Sequence, residues 1–251
     1  MTVRALAVLL ACLSSPAQAM VGGAPLASPE IARHIVMIVG SRGNSCTGVA
    51  IAPNFILTGA HCVLPGYEYK WVDFDAAGRP TLNDIASITR HPEFNHATYE
   101  RNRVTADVAL IKLPRPLPAK FVPALLTQAT KPPAVGDRLM VVGYGVTVPD
   151  DGRSGGKIRT AHLTVTGRPG TLQVRLVDPA TNNARPGLGA CEGDSGAPVF
   201  DVSEATPAIV GVVSWATAPR NEDGCGGLTG VTPLLRYLPW ISATAAKLRN
   251  M

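Results

Sequence analysis

Apolar residues along this chain fall in short blocks separated by turn-forming residues, a spacing that predicts strands far more often than helices. Residues 34–40 (His-Ile-Val-Met-Ile-Val-Gly) form an unbroken apolar run, as a strand buried on both faces requires. Residues 46–58 predict two strands joined at Pro53-Asn54. Residues 67–74 alternate in part and predict a further strand, residues 82–90 another, and residues 108–113 one more. Residues 114–133 are rich in proline and read as a crossover between two halves. A second series of strands follows at 139–143, 157–166, 172–177, 198–202 and 209–215, with an exposed loop at 150–156. Only the tail predicts a helix of any length. Pro239 suits a first turn, where its missing N–H costs little, and Ile241, Ala245 and Leu248 then share one face.

Composition agrees with an all-β chain. Among 251 residues, Gly 25 and Pro 22 supply many turns, and 46% hydrophobic against 16% charged residues argues against disorder. Residues 1–19 have the form of a secretory signal peptide: Arg4, an apolar run from Ala5 to Leu13, and Ala17-Gln18-Ala19 as a cleavage site. Lipoprotein processing at Cys12 is the alternative for this segment. Removing Arg4 from the 23 basic residues leaves about 22 against 18 acidic ones, a net charge of about +4, and no dense Lys/Arg block appears, so nucleic-acid binding has little support. Four cysteines then remain: Cys46, Cys62, Cys191 and Cys225. An even number in an exported chain predicts two disulfides, and the residues alone leave all three pairings open. No C-x-x-C or H-x-x-x-H spacing favours zinc, and two acids, Asp73 and Asp75, are weak grounds for calcium. No metal and no cofactor is expected.

The chemistry centres on residues 189–198, Gly-Ala-Cys-Glu-Gly-Asp-Ser-Gly-Ala-Pro. Ser195 is a candidate nucleophile among residues with little or no side chain. A serine hydroxyl needs a base for its proton and donors for the oxyanion that forms. The N–H groups of Gly193 and Ser195 are candidate donors. His61, in Thr-Gly-Ala-His-Cys, is a candidate base, and Asp107, in Asp-Val-Ala-Leu, a candidate orienting acid. His34, His91, His96 and His162 sit in no comparable motif and read as structural or exposed. TGAHC, DVAL and GDSGAP occur in the order His, Asp, Ser, and together they resemble the TAAHC, DIAL and GDSGGP motifs of the chymotrypsin/trypsin family of serine proteases, of the bacterial, exported type. The resemblance implies Ser195 as nucleophile, His61 as general base and then acid, and Asp107 as the group that orients the imidazole.

The resemblance implies two six-stranded Greek-key barrels with a C-terminal helix, the first over about residues 20–120 and the second over 121–251. It implies a serine endopeptidase that acts through an acyl-enzyme on polypeptides, with a protein protease inhibitor as a further partner, as a secreted or periplasmic monomer with no membrane attachment after signal cleavage. A catalytically silent homologue that only binds is the alternative. It implies the disulfides Cys46–Cys62 and Cys191–Cys225. It places Gly189 and Ala190 at the base of the substrate pocket, where trypsin carries an acid, and Ala216 on one wall with Gly227 and Leu228 opposite. Apolar side chains of small to medium size are therefore expected before the scissile bond, since an unpaired buried cation is costly. Ser214-Trp215-Ala216 resembles the edge that pairs with substrate, Glu192 lies at the rim, and Gly143-Tyr144-Gly145 resembles a GWG segment. Met20-Val21-Gly22-Gly23 resembles the family's IVGG start, so a new α-amino group at Met20 is expected to pair with Asp194, with no separate propeptide between the cleavage site and Met20.

Overall fold

The computed structural model describes residues 20–249. Residues 1–19, read above as a signal peptide, lie outside the described residues, Cys12 included. Fourteen strands are present among them: β1 (Ile35–Gly40), β2 (Ser45–Ala52), β3 (Phe55–Thr58), β4 (Tyr69–Phe74), β5 (Pro80–Asn83), β6 (Ser87–Arg90) and β7 (Ala109–Lys112) in the first half, then β8 (Leu125–Leu126), β9 (Arg138–Gly143), β10 (Arg159–Gly167), β11 (Val174–Val177), β12 (Pro198–Asp201), β13 (Ala208–Ala216) and β14 (Thr229–Pro233) in the second. The first seven form an antiparallel sheet in the order β5-β4-β1-β2-β3-β7-β6. In the second half the order is β12-β9-β10-β11-β14-β13-β8, and an added β12–β13 pairing closes six of these strands into a barrel. The short strand β8 joins outside that ring, parallel to β13. This is a chymotrypsin-like, mostly β architecture, with one closed barrel and one open sheet.

Alternation explains why several strands read as continuous apolar runs. Successive strand residues face opposite sides, and here both sides are covered. In β1, Val36 and Ile38 pack into the first half's own core, whereas Ile35 and Met37 face the seam between the halves. In β9, Leu139 and Val141 fill the closed barrel while Met140 and Val142 face the same seam. The seam core thus joins Val49, Leu57 and Val108 of the first half to Phe200, Ile209 and Val212 of the second.

Two strand expectations differ from what is observed. Residues 82–90 divide into β5 and β6, because residues 84–86 leave the ladder before β6 pairs with β7. Strand β14 is not visible in the sequence pattern. Its residues, Thr-Gly-Val-Thr-Pro, include a glycine and a proline, which weaken any strand reading, yet all five are buried between β11 and β13. The C-terminal helix runs from Leu238 to Arg249, with Ile241, Ala245 and Leu248 as its buried residues. Ala245 and Leu248 pack on Phe55 of β3 and Leu110 of β7, so the C-terminal helix lies against the first sheet. Lys112 Nζ donates to the carbonyl of Leu248 at 2.5 Å, taking up one of the free acceptors at the helix end.

Candidate active site

His61 lies on a single 3₁₀ turn, Ala60–Val63, directly after β3, and Asp107 directly precedes β7. Since β3 and β7 are hydrogen-bonded neighbours, with Thr58 opposite Ala109, the sheet itself brings the two side chains together. The backbone N–H of His61 donates to Asp107 Oδ1 at 2.9 Å, and His61 Nδ1 lies 2.7 Å from Asp107 Oδ2. The second contact places a proton on Nδ1, because a carboxylate only accepts; Nε2 of the neutral ring is then free to act as a base. Ser214 Oγ, from β13 in the other half, donates to the same Oδ2 at 2.5 Å. Asp107 is 1% exposed. Burial pulls its pKa upward, but the charge and hydrogen bonds of His61 and the Ser214 hydroxyl outweigh that and hold the carboxyl below its usual range.

Ser195 belongs to the loop before β12 and shares a cavity of about 660 Å³ with His61, Glu192 and Gly193. Among the described residues its hydroxyl makes no hydrogen bond to the imidazole, whose Nε2 lies 3.8 Å from Cys62 Sγ. Such a contact often tightens only when substrate is bound. The loop is fixed by Thr47, which stands in no motif of its own. Thr47 of β2 donates from its N–H to the Ser195 carbonyl at 2.8 Å, and from Oγ1 to the Gly193 carbonyl at 2.7 Å. Its Oγ1 in turn accepts from the Tyr144 N–H at 3.0 Å. With both carbonyls tied back in this way, the N–H groups of Gly193 and Ser195 donate to nothing within the described residues. Gly193 has φ 92°, a left-handed conformation that side-chain-bearing residues resist.

Asp194 is fully buried. Its carboxylate accepts from the N–H of Gly145 at 2.8 Å and of Cys191 at 3.0 Å. The glycines of Gly143-Tyr144-Gly145 are required here, since a Cβ on either would lie 2.2 Å from an Asp194 oxygen. Burial pushes the Asp194 pKa up to about 7, against the pull of the two amides and helped by the nearby charge of Glu192. No basic side chain forms an ion pair with it among the described residues. Met20 is fully buried in the barrel core with Ala190 and Ala197, and Val21 forms a bridge with Gly189. Met20 also has φ 46°, uncommon for a residue with a side chain.

A smaller cavity, about 240 Å³, opens beside Ser195 and is lined by Ala190, Val213, Trp215, Ala216, Gly224 and Cys225, among others. Gly224 and Cys225 thus line it together with Ala216. Gly227 and Leu228, expected there, lie elsewhere: Gly227 is packed against the Ala218 carbonyl, and both donate backbone hydrogen bonds to Thr217. Gly189 is buried behind Ala190 and does not line the cavity; its neighbours are Gly226 and Thr229. Among the described residues the only acid on the lining is Glu192, at the exposed rim, whose Oε2 rests against the sulfur of Cys191 at 2.6 Å. Disulfides join Cys46 to Cys62 and Cys191 to Cys225. The two places where Cys, His or Glu atoms converge both contain these disulfides, which leave no thiolate for a metal. Asp73 pairs with Lys120, and Asp75 is held by Arg79 Nε at 2.7 Å. Tyr99, from the short helix His96–Glu100, also had no signal in the sequence. Its ring stacks on His61 with centroids 4.6 Å apart, and its hydroxyl donates to the Ser214 carbonyl at 2.8 Å.

A two-sheet fold that places a buried Asp–His pair across a seam from a serine in a glycine loop defines a class of serine hydrolase. Residues 20–241 match the family model described as Trypsin, and the chain belongs to the trypsin family: it is a serine endopeptidase of that family. Among its relatives, snake venom serine protease rhinocerase 4 of Bitis rhinoceros is 28% identical over 95% of this chain and 94% of that protein. Trypsin of Squalus acanthias is 26% identical over 80% of this chain and 86% of its own, and human kallikrein-11 is 24% identical over 79% and 71%. These relatives are animal proteins; they support the family and correct the expectation of a bacterial type. Such relatives and the two disulfides suggest an extracellular protein.

Proposed function

We propose that Ser195 is the nucleophile, His61 the general base and then acid, and Asp107 the group that orients and stabilises the imidazole. Ser195 Oγ attacks the substrate carbonyl carbon while its proton passes to His61 Nε2. The resulting oxyanion accepts from the amides of Gly193 and Ser195. His61 then returns the proton to the departing amine, the C–N bond breaks, and water hydrolyses the acyl-enzyme by the same route. The observation that carries this reading is the double hydrogen bond from His61 to a buried Asp107, in one cavity with a serine whose neighbouring amides are free.

Specificity follows from the small cavity. With no acid inside it, a Lys or Arg side chain would lose hydration without gaining a partner, so Ala, Val or Leu is preferred before the cut. Activation is proposed to follow cleavage before Met20. The new α-amino group reaches Asp194, supplies the cation that this buried carboxylate lacks, and orders the Gly193 amide. The enzyme is proposed to be secreted or periplasmic and monomeric, open to a protein inhibitor, with halves over about residues 20–120 and 121–251.

A fluorophosphonate probe is expected to label Ser195 in the cleaved protein, and Ser195→Ala and His61→Ala are expected to lose nearly all peptidase activity while remaining folded. Near-normal turnover in either variant would overturn the triad. Cleavage of a peptide library is expected to favour small and medium apolar residues; a profile dominated by Lys and Arg would reject the pocket assignment.

A further inference from the structure

Two peptide carbonyls flank Gly193, and both are held. The Glu192 carbonyl accepts from the Val146 N–H at 2.8 Å. It shares a planar trans peptide with the Gly193 N–H, so the two point in opposite directions. Pinning that carbonyl therefore aims the N–H, here into the cavity that holds His61 and Ser195. On the other side, the Gly193 carbonyl accepts from Thr47 Oγ1 at 2.7 Å. A glycine at φ 92° depends on such ties, because it has no side chain to restrict its rotation.

Both ties lead back to one atom. Thr47 Oγ1 spends its single proton on the Gly193 carbonyl and accepts from the Tyr144 N–H at 3.0 Å. Tyr144 stands two residues before Val146, so the same hydroxyl registers the segment that holds the Glu192 carbonyl. Thr47 is fully buried and is itself fixed by Thr58 of β3, whose Oγ1 donates to the Thr47 carbonyl at 2.9 Å. A Cβ on Gly196 would collide with Thr58 Oγ1 and the Thr47 carbonyl, so the Ser195 loop lies directly on this pair of strands.

We propose that Thr47 is a positioning residue for the hydrolysis: its hydroxyl, supplied by the first half, sets the direction of the Gly193 N–H toward the oxyanion. This rests on the triad reading above. Thr47 acts through Gly193. Without the hydroxyl, the buried Gly193 carbonyl and Tyr144 N–H lose this partner, a costly state. The peptides on either side of Gly193 then rotate to recover hydrogen bonds, and the N–H turns away from the oxyanion. The loss falls on the transition state, where charge has developed on oxygen, and spares the complex with intact substrate.

The test uses protein starting at Met20, a peptide anilide with alanine before the cut, and the matching peptide trifluoromethyl ketone. The ketone carbon takes the Ser195 oxygen, the serine proton passes to His61, and the ketone oxygen becomes the anion. Thr47→Val keeps the shape and removes the hydroxyl. It is expected to lower kcat at least about tenfold with KM unchanged, short of the roughly 10²–10³ that follows outright removal of an oxyanion donor. Affinity for the ketone is expected to fall by the same factor as kcat/KM. Thr47→Ser restores the hydroxyl and is expected to recover most of both. Leu248→Ala, which loosens the C-terminal helix on Phe55, is expected to keep kcat and so separates lost stability from lost positioning. Unchanged kcat in Thr47→Val, a rise in KM alone, or a serine variant no better than the valine one would overturn the proposal. Should Thr47→Val not fold, Thr47→Ala is read in its place with the same expectation. Failure of both to fold would also overturn it, and would make the hydroxyl a support of the fold. A wild type that neither cleaves the anilide nor binds the ketone would instead reject the reading of triad and pocket on which the proposal rests.

Discussion

At the scale of single residues, Asp107 shows how a buried charge is kept. Burial alone would favour its protonated form, and three donors reverse that: the His61 amide, the His61 ring and the Ser214 hydroxyl. A hydrogen bond to a charged group is worth about 1.5–3 kcal/mol, so Ser214→Ala is expected to lower stability by about 2 kcal/mol at neutral pH. The pH dependence has a definite sign. The folded-state pKa of Asp107 is depressed, so its contribution is present above the unfolded carboxyl's pKa and is lost as pH falls through the folded one. The deficit of Ser214→Ala is therefore expected to shrink in acid. Urea unfolding of both proteins at neutral and acidic pH checks this; a constant deficit would show that the hydroxyl does not act through the carboxylate.

At the scale of elements, two covalent or packed attachments hold the chain's functional turns. The Cys46–Cys62 disulfide spans 16 residues and ties the His61 turn to β2, the strand that also carries Thr47. Closing a loop of about this size is worth about 3 kcal/mol in the chain-entropy model. Replacing both cysteines with alanine is expected to cost about that much, read as a lower urea midpoint, and to reduce fluorophosphonate labelling. The C-terminal helix is the second attachment. Ile241 is 1% exposed in the seam core, and Ile241→Ala is expected to cost about 2–5 kcal/mol. A change within error would mean that the helix does not brace the seam. Its amphipathic face was readable from the i, i+4, i+7 spacing of Ile241, Ala245 and Leu248, because a helix end needs only local pattern. Strand β14 was not, because Thr229 and Gly230 are buried by neighbours distant in sequence rather than by their own hydrophobicity.

At the scale of the whole molecule, the proposed Met20–Asp194 pairing would couple the new N-terminus to the Ser195 loop. Burial raises its pKa to about 7. A group raised in the folded state contributes stability that is complete below its unfolded pKa and is lost as pH rises through the folded value. The uncleaved protein is thus expected to weaken from about pH 4, near the unfolded carboxyl's pKa, toward neutrality. In the cleaved protein the proposed pairing with the new α-amino group is expected to relieve that loss. It would raise the amine above its free value of about 7.7–8.0, so its contribution is expected to be complete below that value and to fade in alkali. The stability gap between cleaved and uncleaved forms should widen from acid to neutral pH and close again at high pH, with activity falling reversibly alongside it. Urea unfolding of a protein starting at Met20 and of one bearing residues before it, across that range, measures the gap. Parallel curves, or full activity with an intact N-terminal extension, would reject the Met20–Asp194 pairing.

The sequence by itself determined the family and most of the strands. TGAHC, DVAL and GDSGAP are local motifs, each legible because a turn and its neighbours must be small or specific where the backbone passes close to a reacting group. The continuous apolar run of β1 was equally legible, since both of its faces are covered. Tertiary structure alone decided the rest. Thr47 and Tyr99 are ordinary residues in sequence and become parts of the site only because the seam sets β2 against the Ser195 loop and the His96–Glu100 turn against β13. The cavity proposed as the substrate pocket is lined by Gly224 and Cys225, with Gly227 and Leu228 turned toward Thr217, because the path of a glycine-rich loop is set by what it packs on. Hydrophobic period and motif spacing record what each residue needs locally; which distant residue meets that need is fixed only when the two sheets close on each other.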